Sequence, residues 1–324
     1  MRIKLWGVRG SLPTPMTPDD LRARLLQVLQ RFEAIKSEEP GATPEEFLNS
    51  LPTHLSTGYG GNTSCAEVVS RSGSRLIIDG GSGLRGFSEH IQAADAAISE
   101  FHVYMTHFHW DHLIGLPFFL PLYRKGVQVH FYGVHDDLED SLRRLFRKPN
   151  FPVPYDVVAK QILVHRVEPR RAFQVGDVQV TPYMLDHPDP CWGARVEADN
   201  RALAWAVDTE CTRTSSEELG ADLALYKNAD LMVFDAQYSF DEALDKINWG
   251  HASGPIGIDL ALRENIKRAL FVHHDPGASD DMIRSAEDQA SLYFNEIVRA
   301  RRRVGETVPE LDWRFAREGE VIQL

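Results

Sequence analysis

The sequence has few cysteines and no long hydrophobic run. Only three cysteines occur among 324 residues, widely separated at Cys65, Cys191 and Cys211. An odd number at this spacing argues against a disulfide framework and favours reduced thiols. No stretch of about 18 apolar residues is present, and Met1 leads directly into a strand pattern instead of a signal peptide. We therefore expect a soluble, cytoplasmic protein that makes no membrane contact.

The chain also lacks an excess of positive charge. It carries 35 Lys and Arg residues against 47 Asp and Glu residues, a net charge of −12 at pH 7. This charge would repel a polyanion over most of the surface, so general nucleic-acid binding is not expected. A small anionic ester remains possible in a metal-lined pocket, where the ions dominate the local field.

Four potential metal ligands lie within six residues, directly after an apolar strand pattern at 101–105. They are His107, His109, Asp111 and His112. Packing does not explain them, because each would need a polar partner when buried. Residues i and i+2 of an extended segment point the same way, so the first two histidines can bind one ion while the turning chain offers the other two ligands to a second. The segment predicts half of a dinuclear metal site; the alternative is a surface histidine cluster without metal.

Further candidate residues follow other apolar strand patterns. They are His187 after 178–183, Asp208 after 202–207 and His273 after 269–272. His274 is the alternative to His273, because a shift of one residue turns a strand side chain to the other face. His251 precedes a predicted helix at 255–265, and it is either a catalytic group or a capping or core histidine.

The spacing His-x-His-x-Asp-His after a hydrophobic strand resembles the signature of the metallo-β-lactamase superfamily. Two earlier motifs are similar to its phosphodiesterase branch, which includes phosphoribosyl cyclic phosphodiesterase and tRNA 3′-processing nucleases. These motifs are Trp6-Gly7-Val8-Arg9-Gly10-Ser11 and Gly60-Gly61-Asn62-Thr63-Ser64-Cys65. The resemblance covers nearly the whole chain and implies an α/β fold, the αββα four-layer sandwich. Alternating helix patterns and buried apolar strands agree with that fold, whereas the substrate is left open.

The resemblance also implies a division of the candidate ligands. One ion would be held by His107, His109 and His187, and the other by Asp111, His112 and His273. Asp208 would bridge them, in the position where true β-lactamases commonly have cysteine. The two divalent ions are expected to be Zn²⁺ because the ligands are rich in histidine, with Mn²⁺ and Fe as alternatives.

Three more residues receive roles from the resemblance and from local pattern. Asp79, which ends a strand pattern before Gly80-Gly81-Ser82-Gly83, is expected to be a buried residue that orients the ligand loop. Asn62 is expected to face the site. Arg9 is expected to pair structurally with a carboxylate, and the alternative is that it neutralises a phosphate.

The expected activity is hydrolysis of a small or cyclic phosphodiester, such as a cyclic nucleotide or a cyclic sugar phosphate. Asp111 would orient the attacking water, and His251 would stabilise charge or protonate the departing oxygen. Alternatives are tRNA 3′-end processing, hydrolysis of an amide, lactone or thioester, and a non-enzymatic metal-dependent nucleotide sensor.

No linker or repeat divides the chain, which predicts a single domain over 1–324. Segment 16–56 is an insertion relative to the family pattern. Thr17 and Pro18 indicate a helix start, and apolar residues follow at helical spacing: Leu21, Leu25, Val28, Leu29, Phe32 and Ile35. Such a stripe needs an apolar partner, so we expect a lid or a dimer arm in a possible homodimer, or else a structural cover. Another helix is expected from Gln92 to Glu100.

Overall fold

The strands of the chain form two seven-stranded sheets. The computed structural model describes residues 1–94 and 97–324. The first sheet has the order β14-β1-β2-β3-β4-β5-β6 and the second the order β13-β12-β11-β10-β9-β8-β7. The strands are β1 Arg2–Gly7, β2 Cys65–Val69, β3 Arg75–Ile78, β4 Glu100–Tyr104, β5 Gln128–Gly133, β6 Ile162–Arg166, β7 Phe173–Val175, β8 Val178–Met184, β9 Trp192–Ala198, β10 Arg201–Ala206, β11 Leu231–Asp235, β12 Arg268–Val272, β13 Asp312–Phe315 and β14 Val321–Gln323.

The described residues also contain ten α-helices. They are α1 Pro18–Glu38, α2 Pro44–Ser50, α3 Thr53–Ser56, α4 Gly83–Ala94, α5 Trp110–Leu113, α6 Leu138–Leu145, α7 Ser216–Leu219, α8 Phe240–Asp245, α9 Gly254–Arg263 and α10 Asp280–Arg303. Of the helices in the described ranges, none is long and apolar enough to cross a membrane.

Three apolar clusters hold the layers together. One lies between the sheets and joins residues such as Leu5 and Val68 of the first sheet to Val196 and Val233 of the second. A second packs the first sheet against α4 and α6, and a third packs the second sheet against α9 and α10. The strands bury both faces, which is why they read as near-continuous apolar runs. The predicted αββα sandwich is confirmed.

The strand directions bring several strand ends to one edge. In the first sheet β3, β4, β5 and β6 run parallel, and in the second β10, β11, β12 and β13 run parallel. Parallel strands end at the same edge, and residues that follow their carboxyl ends therefore meet there.

The insertion forms α1, α2 and α3. Its first helix starts as predicted, with Thr17 accepting a hydrogen bond from the backbone N–H of Asp20. None of the α1 side chains is buried. Leu21, Leu25 and Leu29 are 49%, 52% and 56% exposed, so the predicted apolar stripe is largely uncovered by this chain. A lid or dimer arm stays a prediction.

The helix expected from Gln92 to Glu100 is wrong in position. Helix α4 begins nine residues earlier at Gly83 and ends at Ala94, while Glu100 already opens β4. The reason is that the glycine-rich segment before α4 reads as a loop in sequence, although its last glycine starts the helix. Residues 95 and 96 of the expected helix lie outside the described residues.

Candidate metal centre

The first donor group consists of three histidines at the shared sheet edge: His107, His109 and His187. His109 Nδ1 lies 3.2 Å from His187 Nε2. His107 is buried, whereas the other two are half-buried. Among the described residues, the buried Nε2 of His107 has no hydrogen-bond partner. Three imidazoles that converge in this way form a set of neutral nitrogen donors with one side towards solvent.

The second donor group is buried and contains two carboxylates. Its members are Asp111, His112, Asp208 and His273. Asp208 lies with Oδ2 2.8 Å from His112 Nε2 and with Oδ1 3.2 Å from His273 Nε2. Asp111 Oδ2 lies 3.3 Å from His112 Nε2 and 3.1 Å from His273 Nε2, and it accepts a hydrogen bond of 2.8 Å from the backbone N–H of Ser11.

Two donor atoms of the second group lie close together without a hydrogen bond between them, an arrangement that suits a bound cation. His112 Nε2 and Asp208 Oδ2 are 2.8 Å apart, yet in the part of the chain that the structure describes neither atom has a partner in hydrogen-bonding geometry. Both atoms are buried, and a buried polar atom without a partner is costly. A divalent ion between them would satisfy both. The residues present therefore fit a metal ion at each group.

A second contact on each ring orients most of these histidines. His112 Nδ1 donates to Asp79 at 2.8 Å, and His109 Nε2 donates to Asp189 at 2.8 Å. His187 Nδ1 donates to the carbonyl oxygen of Gly250 at 3.0 Å. His107 Nδ1 lies 3.1 Å from the Thr106 hydroxyl. Such contacts fix the tautomer and leave the other nitrogen for a metal.

Electrostatics separate the two groups. Burial lowers the pKa of His107 well below its usual value, although the Asp208 charge opposes the shift. Burial also lowers the pKa of His187 against the same charge. For His273, burial alone would lower the pKa, but Asp208 and Asp111 raise it to about 9. Asp208 thus acts electrostatically on both groups, although by distance it belongs to the second.

The backbone at the site is strained and tightly packed. Asp79, Asp208 and His273 have φ of 60°, 63° and 64°, in the left-handed region that non-glycine residues rarely adopt. A Cβ on Gly81 would overlap the carbonyl oxygen of Asp111, and a Cβ on Gly115 would overlap that of Gly81. Main chain therefore packs directly on main chain beneath the second donor group.

A third set of side chains adds a residue that the sequence reading missed. Asp235 ends β11 and accepts a 2.8 Å hydrogen bond from Nδ1 of His251, and the His251 ring stacks on that of His273 with centroids 4.8 Å apart. Asp208, Asp235, His251 and His273 form a further group able to hold a metal. Asp235 follows an apolar strand like the predicted ligands, and that signal could have identified it.

Other residues with predicted roles are placed as follows. Asp79 is fully buried and also accepts from the Thr106 backbone N–H at 2.9 Å. Asn62 bonds to Glu318 and Ser82, and no hydrogen bond to a donor-group side chain is found for it among the described residues. Arg9 is buried against backbone carbonyl oxygens, with Asp280 at 3.5 Å. His274 turns away to bond the Ala316 carbonyl oxygen, so His273 is the histidine that meets the carboxylates.

Comparison with known proteins decides the family. A family model described as the beta-lactamase superfamily domain matches residues 74–274, more than half of the chain. The chain belongs to the metallo-β-lactamase superfamily. Membership of this superfamily indicates a hydrolase, and the histidine and aspartate groups suggest that it binds divalent metal ions.

Relatives within and around the superfamily are distant. Ribonuclease Z from Crocosphaera subtropica is 21% identical over 240 residues, which make up 59% of this chain and 74% of that protein. A new diphosphatase from the PhnP family has a TM-score of 0.60 and 16% identity over 100% of this chain and 97% of that chain. Zn²⁺-bound PqqB from Methylobacterium extorquens has a TM-score of 0.60 and 16% identity over 100% of both chains. These two structures show the fold alone.

Proposed function

We propose that this superfamily member is a dinuclear metal-dependent phosphodiesterase that acts on a small phosphodiester. The observation that carries the proposal is the Asp235–His251 pair beside a buried, carboxylate-rich donor group. An oriented histidine next to cation ligands suits a reaction in which charge builds on phosphate and a leaving oxygen needs a proton. The acidic net charge of −12 favours a small substrate over a polyanion.

The metal ions would be held by the two donor groups, with Asp208 shared between them. Zn²⁺ suits five histidines and two carboxylates, and Mn²⁺ or Fe are alternatives. Once bound, two such ions would lower the pKa of a water molecule and withdraw charge from a phosphate oxygen. Zn²⁺ in the structurally similar PqqB supports the first choice.

Two residues of the chain complete the chemistry. Asp111 is fixed through Oδ2 by the Ser11 backbone, and its other oxygen can accept a hydrogen bond from the attacking water and orient it. Asp235 holds His251 through Nδ1, so Nε2 is the atom that gives a proton to the departing oxygen as its bond to phosphorus breaks.

A combined metal and turnover assay tests the proposal. Protein purified without chelator should contain close to two transition-metal equivalents and hydrolyse bis(p-nitrophenyl) phosphate, and a chelator should abolish turnover until metal is restored. A panel of cyclic nucleotides and cyclic sugar phosphates then ranks substrates. Less than one metal equivalent, or turnover of nitrocefin or lactones without turnover of phosphodiesters, would contradict the proposal.

The proton donor can be tested separately. We expect His251→Ala to keep both metals and to slow phosphodiester turnover about 100-fold, the usual scale for loss of a general acid or charge-stabilising donor. Because Asp235 acts through His251, Asp235→Asn should change turnover in the same direction. If His251→Ala loses metal instead, His251 is a ligand and the role of His273 must be reassigned.

A second candidate is tRNA 3′-end processing. It is favoured by the match to ribonuclease Z, which covers 59% of this chain. Cleavage of a precursor tRNA on a gel, at a rate above that for small phosphodiesters, would support it over the first proposal.

A further inference from the structure

Two tryptophans at the candidate metal centre are exposed. Trp110 and Trp249 are 66% and 62% exposed, whereas Trp192 and Trp205 are 8% and 1% exposed. Large aromatic side chains are normally covered, and an exposed pair beside a site indicates a surface that binds something from solvent.

Both tryptophans are sequence neighbours of residues at the first donor group. Trp110 directly follows His109, and Trp249 directly precedes Gly250, whose carbonyl oxygen accepts from His187. The two histidines lie 3.2 Å apart through their facing nitrogens. Each tryptophan is thus one residue, about 3.8 Å of backbone, from a group that holds or contacts the same histidine pair.

The loop that carries Trp249 is held rigidly. Glu210 accepts from the backbone N–H of Asn248 at 3.0 Å and from that of Gly250 at 3.2 Å. Glu210 lies two residues after Asp208, so the loop is tied to a strand end of the site. A side chain displayed from a fixed backbone loses little entropy when it binds a ligand.

We propose that Trp110 and Trp249 form an aromatic platform on which the base of a nucleoside phosphodiester stacks. The proposal rests on the proposed phosphodiesterase function and narrows its substrate class. Indole faces bind flat heteroaromatic rings with little regard to which base is present. The charged groups next to the two tryptophans have both signs: Asp189 accepts from His109, Glu210 accepts from the 248–250 backbone, and Lys246 Nζ lies 6.0 Å from the Trp249 ring centroid. A cyclic sugar phosphate without a base would not use the platform.

A protein partner is the competing explanation for Trp249. Exposed apolar residues also precede it in the chain: Ile247 is 61% exposed, and Leu244 and Phe240 of α8 are 59% and 48% exposed. Trp110 belongs to a different segment, as the first residue of α5, and directly follows a donor histidine, which favours the substrate. Leu244→Ala therefore serves as a matched control: it removes exposed apolar surface from the same part of the chain at a residue that adjoins no member of a donor group in sequence.

The test compares two esters with the same p-nitrophenolate leaving group. One is methyl p-nitrophenyl phosphate, and the other is the p-nitrophenyl ester of thymidine 5′-monophosphate. We expect the protein to prefer the nucleoside ester through a lower KM. Trp110→Ala and Trp249→Ala should each raise that KM about tenfold, the scale of one lost base-stacking contact, with metal content retained and a clearly smaller change in KM for the methyl ester. Trp→Phe at either position should restore most of the preference, and Leu244→Ala should keep it.

Three results would overturn the platform. They are no preference in the unmodified protein, an unchanged preference in both alanine variants, or an equal loss on the methyl ester. If neither ester is hydrolysed, the phosphodiesterase function itself fails, and binding decides the platform separately. Saturable quenching of tryptophan fluorescence by thymidine 5′-monophosphate in metal-loaded protein, weaker in the alanine variants, would then support it, and no quenching would reject it.

Discussion

The two donor groups of the candidate centre differ in burial and charge. The histidine group has two half-buried members and no carboxylate, whereas the carboxylate group is buried throughout and contains Asp111 and Asp208. Attraction between a cation and a carboxylate grows as water is excluded. If the proposed ions bind, we therefore expect the ion of the carboxylate group to be held more tightly than the ion of the histidine group.

Of the changes that test the difference between the two donor groups, removal of the Asp208 carboxylate should have the largest effect. We expect Asp208→Ala to lose the ion of the carboxylate group and to slow turnover by at least about 10³-fold, beyond the roughly 10²–10³ of a single electrostatic donor. Elemental analysis and hydrolysis of bis(p-nitrophenyl) phosphate measure the two effects. Glu296→Ala, an exposed acid on α10, is the control and should change neither. Retained activity in the Asp208 variant would disprove a bridging role.

Substitution of the carboxylates that accept hydrogen bonds from His112 and His109 tests whether burial makes the two donor groups differ. Asp79 is fully buried behind His112, whereas the side chain of Asp189, behind His109, is 70% exposed. We expect Asp79→Asn to weaken metal binding at the carboxylate group by about 10–100-fold, and Asp189→Asn to weaken the histidine group less. Competition against a fluorescent zinc chelator measures both affinities. Equal losses in the two variants would show that burial of this carboxylate does not matter.

The smallest expected effect is on protein stability, through Asp222, which holds the strand that leads to His187 of the histidine group. Asp222 accepts from Arg170, Arg213 and the Met184 backbone at 2.8–3.1 Å, and so fixes the strand end before His187. Burial alone would raise the pKa of Asp222, but hydrogen bonds from the two arginines hold it below its usual value. Its stabilising contribution is therefore present above the unfolded pKa of about 3.9 and is lost as pH falls through the lower folded value.

Asp222→Asn should accordingly destabilise the protein at neutral pH. We expect the free energy of unfolding to fall by about 1–2 kcal/mol at pH 7, since the arginine partners are partly exposed. The difference from the unmodified protein should shrink below about pH 4. Urea unfolding at pH 7 and pH 3 measures it. If the difference in unfolding free energy between the variant and the unmodified protein is larger at pH 3 than at pH 7, the predicted direction of the pH dependence is wrong.

The strand ends explain how much of the site could be predicted from sequence. Each of the seven candidate ligands lies at or shortly after the end of an apolar strand pattern, and parallel strands bring such ends together. Asp235 also follows an apolar strand. Its partner His251 lies 16 residues further along in a loop, and the sequence pattern does not predict where a loop places its residues. The contacts of Asp189 and Glu210 likewise depend on loop paths.

For the insertion, the local structure could be predicted from sequence but the packing could not. Its helix start and apolar spacing were predictable because capping and periodicity are local. The packing of the helix was not predictable, because an amphipathic pattern shows that one face is apolar but does not show which residues contact that face. In the described structure Phe32 meets Phe47 with ring centroids 5.1 Å apart, while Leu21, Leu25 and Leu29 remain exposed.

The glycine contacts beneath the carboxylate group have a consequence for protein engineering. Gly81 and Gly115 let the 80–83 and 111–115 segments touch through main chain alone, so side-chain rotamers of neighbouring residues have little influence on how those segments meet. A designer who grafts the donor residues onto another αββα scaffold would therefore need both glycines as well. With any larger residue at either position, the grafted aspartates and histidines would be present but set apart.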